Sequence, residues 1–313
     1  MKPKLSVIPA LAGTILLGGL VLPIHSLAAE PKQPGTALPV FTNVTPAEVD
    51  AFLARWNPVF KEQASKEFGF LRAMDQMLKA ETNATRLLNR LLGAMQREPQ
   101  GLWVSGLKML SQPAGGTTLP PVQLLGAWKQ ACATLEKAAQ AAPKDELIRE
   151  ELAQARQGFV AACLDTGRDL GDAQVAARQM LASTTTNSWN YGNVVYDAHS
   201  ALGRIALQKG DRATARQELR AAGRTPGSPQ LNSFGPQFTL ARVLLEQAQP
   251  ADREAVVAFL DDVVQFWANL DKAPAYRRDG VLKQRQKIEN WKEEIRAGKI
   301  PSPSDPMDQN RWR

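Results

Sequence analysis

Few side chains in this sequence have types and spacings that suit catalysis or metal binding. The chain has two histidines, His25 and His199, and no paired Cys or His spacing typical of a metal site accompanies them. A Ser-His-Asp arrangement would need His199, but Asp197 is a poor partner because residues i and i+2 of a helix point apart. We therefore predict no catalytic residue, no metal and no cofactor, and interpret His199 as a packed or hydrogen-bonded residue between helices. An enzyme that uses the His199 region is the alternative.

The two cysteines, Cys132 and Cys163, leave two possibilities open. Export to an oxidising compartment would favour a disulfide between them. Two helices that meet at Pro143 would instead place the cysteines out of step by about nine residues, or about 13 Å. A disulfide needs Cα atoms within about 7 Å of each other.

A dense set of polar side chains lies just before and just after one predicted helical hairpin. We expect the start of its first helix and the loop that leaves its second helix to come close together, which would make these residues one edge of a partner-binding groove. The other interpretation is that they cap helix ends and satisfy loop backbone. The candidate partner-binding residues are Asn190, Tyr191, Asn193, His199, Ser228, Gln230 and Asn232, with Ser233 beside them.

The hairpin itself is predicted from its apolar spacing and its turn. Residues three or four apart form one apolar stripe on the first helix: Val195, Ala198, Leu202 and Ile205. Gly210 suits a left-handed helix end, and the Asp211 carboxylate can accept amide protons of a new first turn. We therefore expect a helix, a turn at these two residues and a second helix over 212–222.

This hairpin resembles the tetratricopeptide repeat, whose pattern is W-x2-L-G-x2-Y, then A-x3-F, then P. Leu202-Gly203 match its Leu-Gly pair, and Ala215-x3-Leu219 follows. The resemblance implies two antiparallel helices that approach closely through Gly203 and Ala215.

The match is partial. His199 stands at the Trp position, Ala206 at the Tyr position, and Pro226 lies one place before the expected Pro. The similarity covers roughly residues 189–267, about a quarter of the chain. This run is also similar to a set of bacterial tetratricopeptide-like proteins with no assigned activity.

Two degenerate copies of the hairpin are predicted on either side of it. The earlier copy has a turn at Gly171-Asp172, then Ala176-x3-Met180; the later copy has Leu240-Ala241, then Ala255-x3-Phe259. Copies recur at about 39 and 38 residues, and three are about the number needed to stack a continuous core. The positions assigned to the repeat are Leu202, Gly203, Gly210, Ala215, Leu219, Ala222, Leu240 and Ala241.

The predicted fold is all-α, with tetratricopeptide-like hairpins forming an α-solenoid behind an N-terminal helical extension. No segment has the alternating pattern of a strand. An N-terminal helical region over 45–111 begins at Thr45-Pro46 and breaks before Pro58. The repeat domain spans 119–300, with long helices over 121–142 and 145–165 and a capping helix over 283–296. A Pro-rich tail, 301–313, is predicted to be disordered.

Residues 1–28 are predicted to be a secretory signal, cleaved after Ala28, followed by a flexible leader over 29–44. Two lysines precede a mostly apolar run, and Ser26-Leu27-Ala28 has small residues at the positions that a signal peptidase reads. An uncleaved anchor is the alternative, since the run over 5–22 is about 18 residues long. The expected location is periplasmic or secreted, with membrane attachment only if the signal is uncleaved.

The charge balance is mildly basic. The whole chain has 38 basic and 31 acidic side chains, and the charges alternate in sign over 283–299, which is typical of a solvated helix face. With no aromatic-interleaved basic groove, we predict no nucleic-acid partner. The expected function is an exported interaction scaffold that binds a protein or peptide without catalysis. The alternatives are an envelope-attached helical-repeat protein and the enzyme considered above.

Overall fold

The structure, a computed structural model, describes residues 44–63, 66, 69–81, 83–99, 103–111, 119–186, 188, 190–265, 275–304 and 306–312. This part of the chain forms α-helices and contains no strand, so the all-α prediction is confirmed. The predicted signal peptide and nearly all of the predicted leader lie outside the described residues. Among the helices that are described, none is both long enough and apolar enough to cross a bilayer.

The described residues form two compact units, one up to residue 119 and one from residue 120 onward. The first unit has four helices: α1 (Pro46–Gln63), α2 (Gly69–Ala80), α3 (Ala84–Arg97) and α4 (Trp103–Leu110). Helix α1 begins as predicted, because the Thr45 N–H donates to Glu48 Oε2 at 3.0 Å and the Glu48 N–H donates to Thr45 Oγ1 at 3.3 Å. These reciprocal bonds satisfy amide groups that a helix start leaves without partners.

Helix α1 continues through Pro58, which corrects the predicted break. A proline inside a helix removes one backbone hydrogen bond, at a cost of about 3 kcal/mol. Aromatic packing lies on both sides of it: the rings of Phe52 and Phe60 lie 5.7 Å and 5.8 Å from the Trp103 ring, centroid to centroid. These contacts hold the two halves of α1 against α4 and offset the local cost.

The second unit has ten helices within its described residues. They are α5 (Pro121–Ala141), α6 (Glu146–Thr166), α7 (Leu170–Ser183), α8 (Tyr191–Gln208), α9 (Arg212–Gly223), α10 (Pro229–Phe234), α11 (Thr239–Glu246), α12 (Pro250–Val264), α13 (Ala275–Arg296) and α14 (Pro306–Arg311). Helices α5 to α8 each contact the next helix along the chain, and α11 contacts α12. Helices α8 and α9 form one pair, and α11 and α12 form the next. The first helices of these pairs, α8 and α11, contact each other, as do the second helices, α9 and α12.

The turn between α8 and α9 lies at Gly210-Asp211. Gly210 has a φ of +81°, a left-handed conformation that favours glycine. The Asp211 side chain accepts from the Thr214 N–H at 3.0 Å and caps α9. Local capping chemistry was therefore sufficient to locate this turn.

The earlier copy does not turn at Gly171-Asp172, which corrects that prediction. Helix α6 ends at Gly167, whose φ is +64°, and Gly171 lies inside α7. The Arg168 N–H donates to the Cys163 carbonyl at 3.2 Å and closes the helix end. The left-handed glycine and this bond end α6 four residues before the position at which the sequence spacing placed the turn.

In place of the disorder predicted from Pro301, the end of the chain forms α14 and buries Trp312. The Trp312 ring lies 4.9 Å from the Phe238 ring and 5.7 Å from the Trp291 ring, centroid to centroid. The Phe238 N–H also donates to the Arg311 carbonyl at 2.5 Å. Aromatic rings carry a large apolar area, so their burial offsets the loss of chain entropy in a polar tail.

Candidate functional site

The predicted polar edge forms where α8 begins and where the loop leaving α9 enters α10. Asn190 immediately precedes α8, and Asn193 lies in its first turn. Ser228 caps α10, because its hydroxyl oxygen accepts from the Leu231 N–H at 3.0 Å. Gln230 lies in the first turn of α10. We use the name polar edge for Asn190, Asn193, Ser228 and Gln230.

A close backbone approach brings the loop against α8. A Cβ atom on Gly192 would lie 1.7 Å from the Gly227 carbonyl oxygen, so no larger residue fits. Gly227 itself has a φ of +81°, which a side chain would strain. The buried Thr225 hydroxyl donates to the Gly192 carbonyl at 2.9 Å and fastens the loop to the helix.

Asn193 lies at the centre of the polar edge. Its Nδ2 donates to Asn190 Oδ1 at 2.7 Å and also donates to Gln230 Oε1. Its Oδ1 accepts from the Ser228 hydroxyl at 2.6 Å. Within the described residues, no hydrogen bond uses the Nδ2 of Asn190 or the Nε2 of Gln230. These two amide groups can therefore donate to a carbonyl or carboxylate of another molecule.

The remaining candidate residues are not among the four that define the polar edge. Tyr191 opens α8 and is partly exposed, while Asn232 is exposed on α10 beside Gly227. The side chain of Ser233 lies outside the described residues. His199 lies further along α8 and does not belong to the polar edge.

His199 bridges the two helices of the hairpin. Its Nδ1 lies 2.7 Å from Oε2 of Glu218 on α9, and both side chains are 23% exposed. A carboxylate in this position fixes the orientation of the imidazole ring. The arrangement is the hydrogen-bonded interhelix histidine that the sequence suggested.

Gly203 makes room for a different helix from the one expected. A Cβ there would lie 2.4 Å from Leu240 Cδ2 on α11 and 3.3 Å from Glu218 Cβ on α9. The lack of a side chain at Gly203 therefore matters most for the contact between α8 and α11, which belong to successive pairs. It matters less for the contact between α8 and α9 within one pair. The other repeat positions are buried apart from Gly210: Leu202, Ala215, Leu219, Ala222, Leu240 and Ala241.

An array of charged residues that the sequence reasoning missed joins α9 to α12. The arginine ladder, Arg212, Arg216, Arg220 and Arg224, recurs at every fourth residue along α9 and ends at the residue that follows the helix. Its acidic partners on α12 are Asp252, which is fully buried, and Asp262. The four-residue spacing was visible in the sequence, but the acidic partners lie far along the chain and could not be assigned from it.

Asp252 and Asp262 each contact two arginines. Asp252 Oδ2 accepts from Arg212 Nη2 at 2.8 Å, and its Oδ1 accepts from Arg216 Nη1 at 2.9 Å. Asp262 Oδ2 lies 2.7 Å from Arg220 Nε and 3.5 Å from Arg224 Nε. Burial alone would raise the pKa of Asp252, but bonds from Arg212, the Gln249 N–H and Arg216 outweigh burial and leave the pKa below its usual value.

Both cysteines are free thiols in the structure. Cys163 is fully buried, whereas Cys132 is partly exposed. Burial raises the pKa of each thiol to about 12. A thiol with so high a pKa is almost entirely protonated at neutral pH and is a poor nucleophile.

A shallow groove of about 460 Å³ lies on the second unit, lined by Glu136, Ala139, Gln140, Pro143, Leu152, Arg156 and Gln179. Its arginine is already paired, because Arg156 Nη2 donates to Glu136 Oε1 at 3.1 Å. The pair neutralises the charge of the groove, which makes the groove a weaker candidate than the polar edge.

No group of three or more potential metal ligands occurs in the part of the chain that the structure describes. The chain matches no family model, no curated protein and no solved structure. Its function is therefore inferred from the arrangement of its own residues.

Proposed function

We propose that this chain is a scaffold of tetratricopeptide-like helical hairpins that binds a protein or peptide partner and performs no catalysis. The polar edge carries this proposal. Asn193 holds the side chains of Asn190 and Gln230 in place by donating to their oxygens. The amide nitrogen of each of these two side chains, on the opposite side of the amide from that bond, remains able to donate. Amide donors held in this way pair with the carbonyl groups that every peptide presents.

The polar edge is also preorganised for binding. Ser228 is held by Asn193 and by its own cap bond, and Thr225 fastens the same loop to Gly192. A partner would therefore order few further side chains on this surface, which lowers the entropy cost of association. The contacts of α8 with α11 and of α9 with α12 further support an interpretation as stacked hairpins.

Export belongs to the same proposal. Cleavage after Ala28 would release the chain into the periplasm or outside the cell. Attachment to the envelope through an uncleaved signal is the alternative, and the mass of the exported protein separates the two. A mature chain that still carries Met1 would contradict the periplasmic assignment.

An affinity experiment on the full chain tests partner binding. The tagged chain and the variant N190A/Q230A are used to capture partners from the native envelope. We expect the variant, which lacks both free amide donors, to lose a partner that the unchanged chain retains. The matched control is Q286A/N290A, because Gln286 and Asn290 are an exposed Gln and Asn elsewhere in the second unit, bonded to each other at 3.1 Å. Equal retention by both variants would contradict the proposal.

The pair formed by His199 and Glu218 gives the second candidate, an enzyme, its specific support. A carboxylate-oriented imidazole is a common general base. The variant H199A separates the two candidates. A lower melting temperature with preserved partner binding supports a packing role, whereas loss of a turnover activity with an unchanged fold would overturn the scaffold proposal.

A further inference from the structure

The arginine ladder lies along one face of α9 and ends at Arg224, the residue that follows this helix. Four residues advance an α-helix by about 6 Å and bring the side chain back to nearly the same face. The four guanidinium groups therefore follow one another along the seam between α9 and α12. The seam contains none of the four polar-edge residues, although Arg224 lies at the same end of the hairpin as the polar edge.

The ladder has more positive than negative charge. Its four arginines share the carboxylates of Asp252 and Asp262. The neighbouring carboxylates have other partners, since Glu218 contacts His199 and Asp261 contacts Lys292 at 2.6 Å. The seam therefore carries two positive charges that no contacting carboxylate balances.

The surplus charge is accessible from solvent. The side chains of the ladder are 25%, 26%, 31% and 64% exposed from Arg212 to Arg224, whereas that of Asp252 is fully buried. Each guanidinium has five N–H donors in a planar fork. Hydrogen bonds to Asp252 and Asp262 use one or two donors of Arg212, Arg216 and Arg220, and Arg224 lies 3.5 Å from Asp262. The outer edges of the forks can donate to a second row of carboxylates.

We propose that the outer edge of the arginine ladder binds an acidic peptide segment of the partner protein; this rests on the proposed function as a protein-binding scaffold. Carboxylates already contact these guanidiniums on their inner side. Successive arginines are separated by about 6 Å, close to the separation of about 6.6 Å between residues i and i+2 of an extended peptide. A segment with an acidic residue at every second position fits this spacing.

The test measures binding of a fluorescein-labelled peptide, Glu-Ser-Glu-Ser-Glu-Ser-Glu, to the full chain by fluorescence anisotropy. The neutral peptide with Gln in place of Glu is measured beside it. We expect R220Q/R224Q to bind the acidic peptide about tenfold more weakly, since two partly exposed ion pairs are lost. The control R178Q/R296Q removes two exposed arginines of the same unit and is expected to change the affinity less than about twofold.

Three results would overturn the proposal. The first is equal weakening in both double variants, which would indicate general charge attraction. The second is no binding of the acidic peptide by the unchanged chain at about 50 mM salt. The third is ladder-dependent binding of phosphatidylglycerol vesicles without binding of the peptide, which would assign the ladder to a lipid surface.

Two further measurements keep the test decisive. If R220Q/R224Q melts early, R224Q alone replaces it, because Arg224 is 64% exposed; we expect about threefold weaker binding, and unchanged affinity would contradict the proposal. The variant N190A/Q230A leaves the ladder intact and is expected to bind the acidic peptide as the unchanged chain does. A result that contradicts partner binding at the polar edge can therefore be distinguished from one that contradicts peptide binding at the arginine ladder.

Discussion

Asp252 is charged inside the protein because donors from helix α9 and from the loop before α12 surround it. Arg212, Arg216 and the Gln249 N–H all donate to its carboxylate within 3.1 Å. A buried charge without such partners would cost several kcal/mol. Arg212 Nη2 also donates to the Leu244 carbonyl at 2.9 Å, so this residue links α9 to α11 as well as to α12.

Replacing Asp252 by Ala is expected to destabilise the protein by about 3 kcal/mol, because two arginines lose their common buried partner. The control is Asp262→Ala, which also removes the partner of two arginines but at a side chain that is 21% exposed. For that variant we expect about 1 kcal/mol. Guanidinium denaturation followed by circular dichroism measures both. Equal losses would show that the burial of Asp252 does not determine its contribution.

Glu48 gives a pH-dependent prediction for the first unit. The side-chain hydrogen bond from Arg86, followed by the backbone bond from Thr45, lowers the pKa of Glu48 from 4.5 to about 2. A depressed folded-state pKa means that the contribution to stability is present above about pH 4.5 and is lost as the pH falls through about 2. Carboxyl carbon shifts measured by NMR during an acid titration give this pKa directly.

In the variant R86Q we expect the pKa of Glu48 to rise toward its ordinary value, because the largest cause of its depression is removed. The control variant is R97Q, which is expected to leave the pKa of Glu48 unchanged. Arg97 Nη2 lies 3.6 Å from Asp50, and Arg97 has no contact with Glu48 among the described ion pairs. An unchanged pKa in R86Q would refute the assignment of the shift to Arg86.

At the scale of helices, local signals located the ends of α8 and α9 but not the end of α6. Gly210 and Asp211 form their cap with residues next to them in the chain, so their types predict the turn. The spacing from that turn then suggested Gly171 for the earlier copy, whereas Gly167 adopts the left-handed conformation. A degenerate repeat preserves the order of its helices better than the lengths of its segments.

Two glycines in the second unit are expected to respond to alanine in opposite directions. In Gly192→Ala the new Cβ meets the Gly227 backbone, which cannot rotate away, and we expect a loss of stability of about 2 kcal/mol or more. In Gly171→Ala no atom lies within 4 Å of the new Cβ. Because alanine favours a helix, we expect a gain of about 0.5 to 1 kcal/mol.

Thermal denaturation of the two glycine variants measures both effects. A neutral Gly192→Ala variant would mean that the loop over 224–228 does not press against α8 as described. Since that approach assembles the polar edge, the same result would also weaken the proposed binding site.

At the scale of the whole molecule, each unit has its own buried residues, and the chain end belongs to the core of the second. This core takes residues from α8 to α13, and Trp312 completes it. Asp308, which is 2% exposed, contacts Lys287 at 2.6 Å and Arg311 at 2.7 Å. The tail is therefore held by ion pairs as well as by its aromatic ring.

Trp312→Ala is expected to cost about 3 kcal/mol or more, since a large ring leaves a cavity beside Phe238 and Trp291. Hydrogen exchange should become faster in α11 to α13, while protection of α1 and α3 in the first unit stays unchanged. The control Leu282→Ala changes a side chain that is 62% exposed and should alter neither. Unchanged exchange in Trp312→Ala would mean that the tail does not support this core.

The sequence by itself determined the all-α class, the hairpin of α8 and α9 and the closeness of the residues on the polar edge. The first two features follow from helical periodicity and from caps, which act between residues one turn apart. The third follows from the order of a helical hairpin, which brings the start of its first helix near the end of its second. Only the tertiary structure decided that Gly203 faces Leu240, that the arginines of α9 contact Asp252 and Asp262, and that Trp312 is buried. These contacts join residues distant along the chain, and many small packing and electrostatic terms, which no local pattern records, select among them.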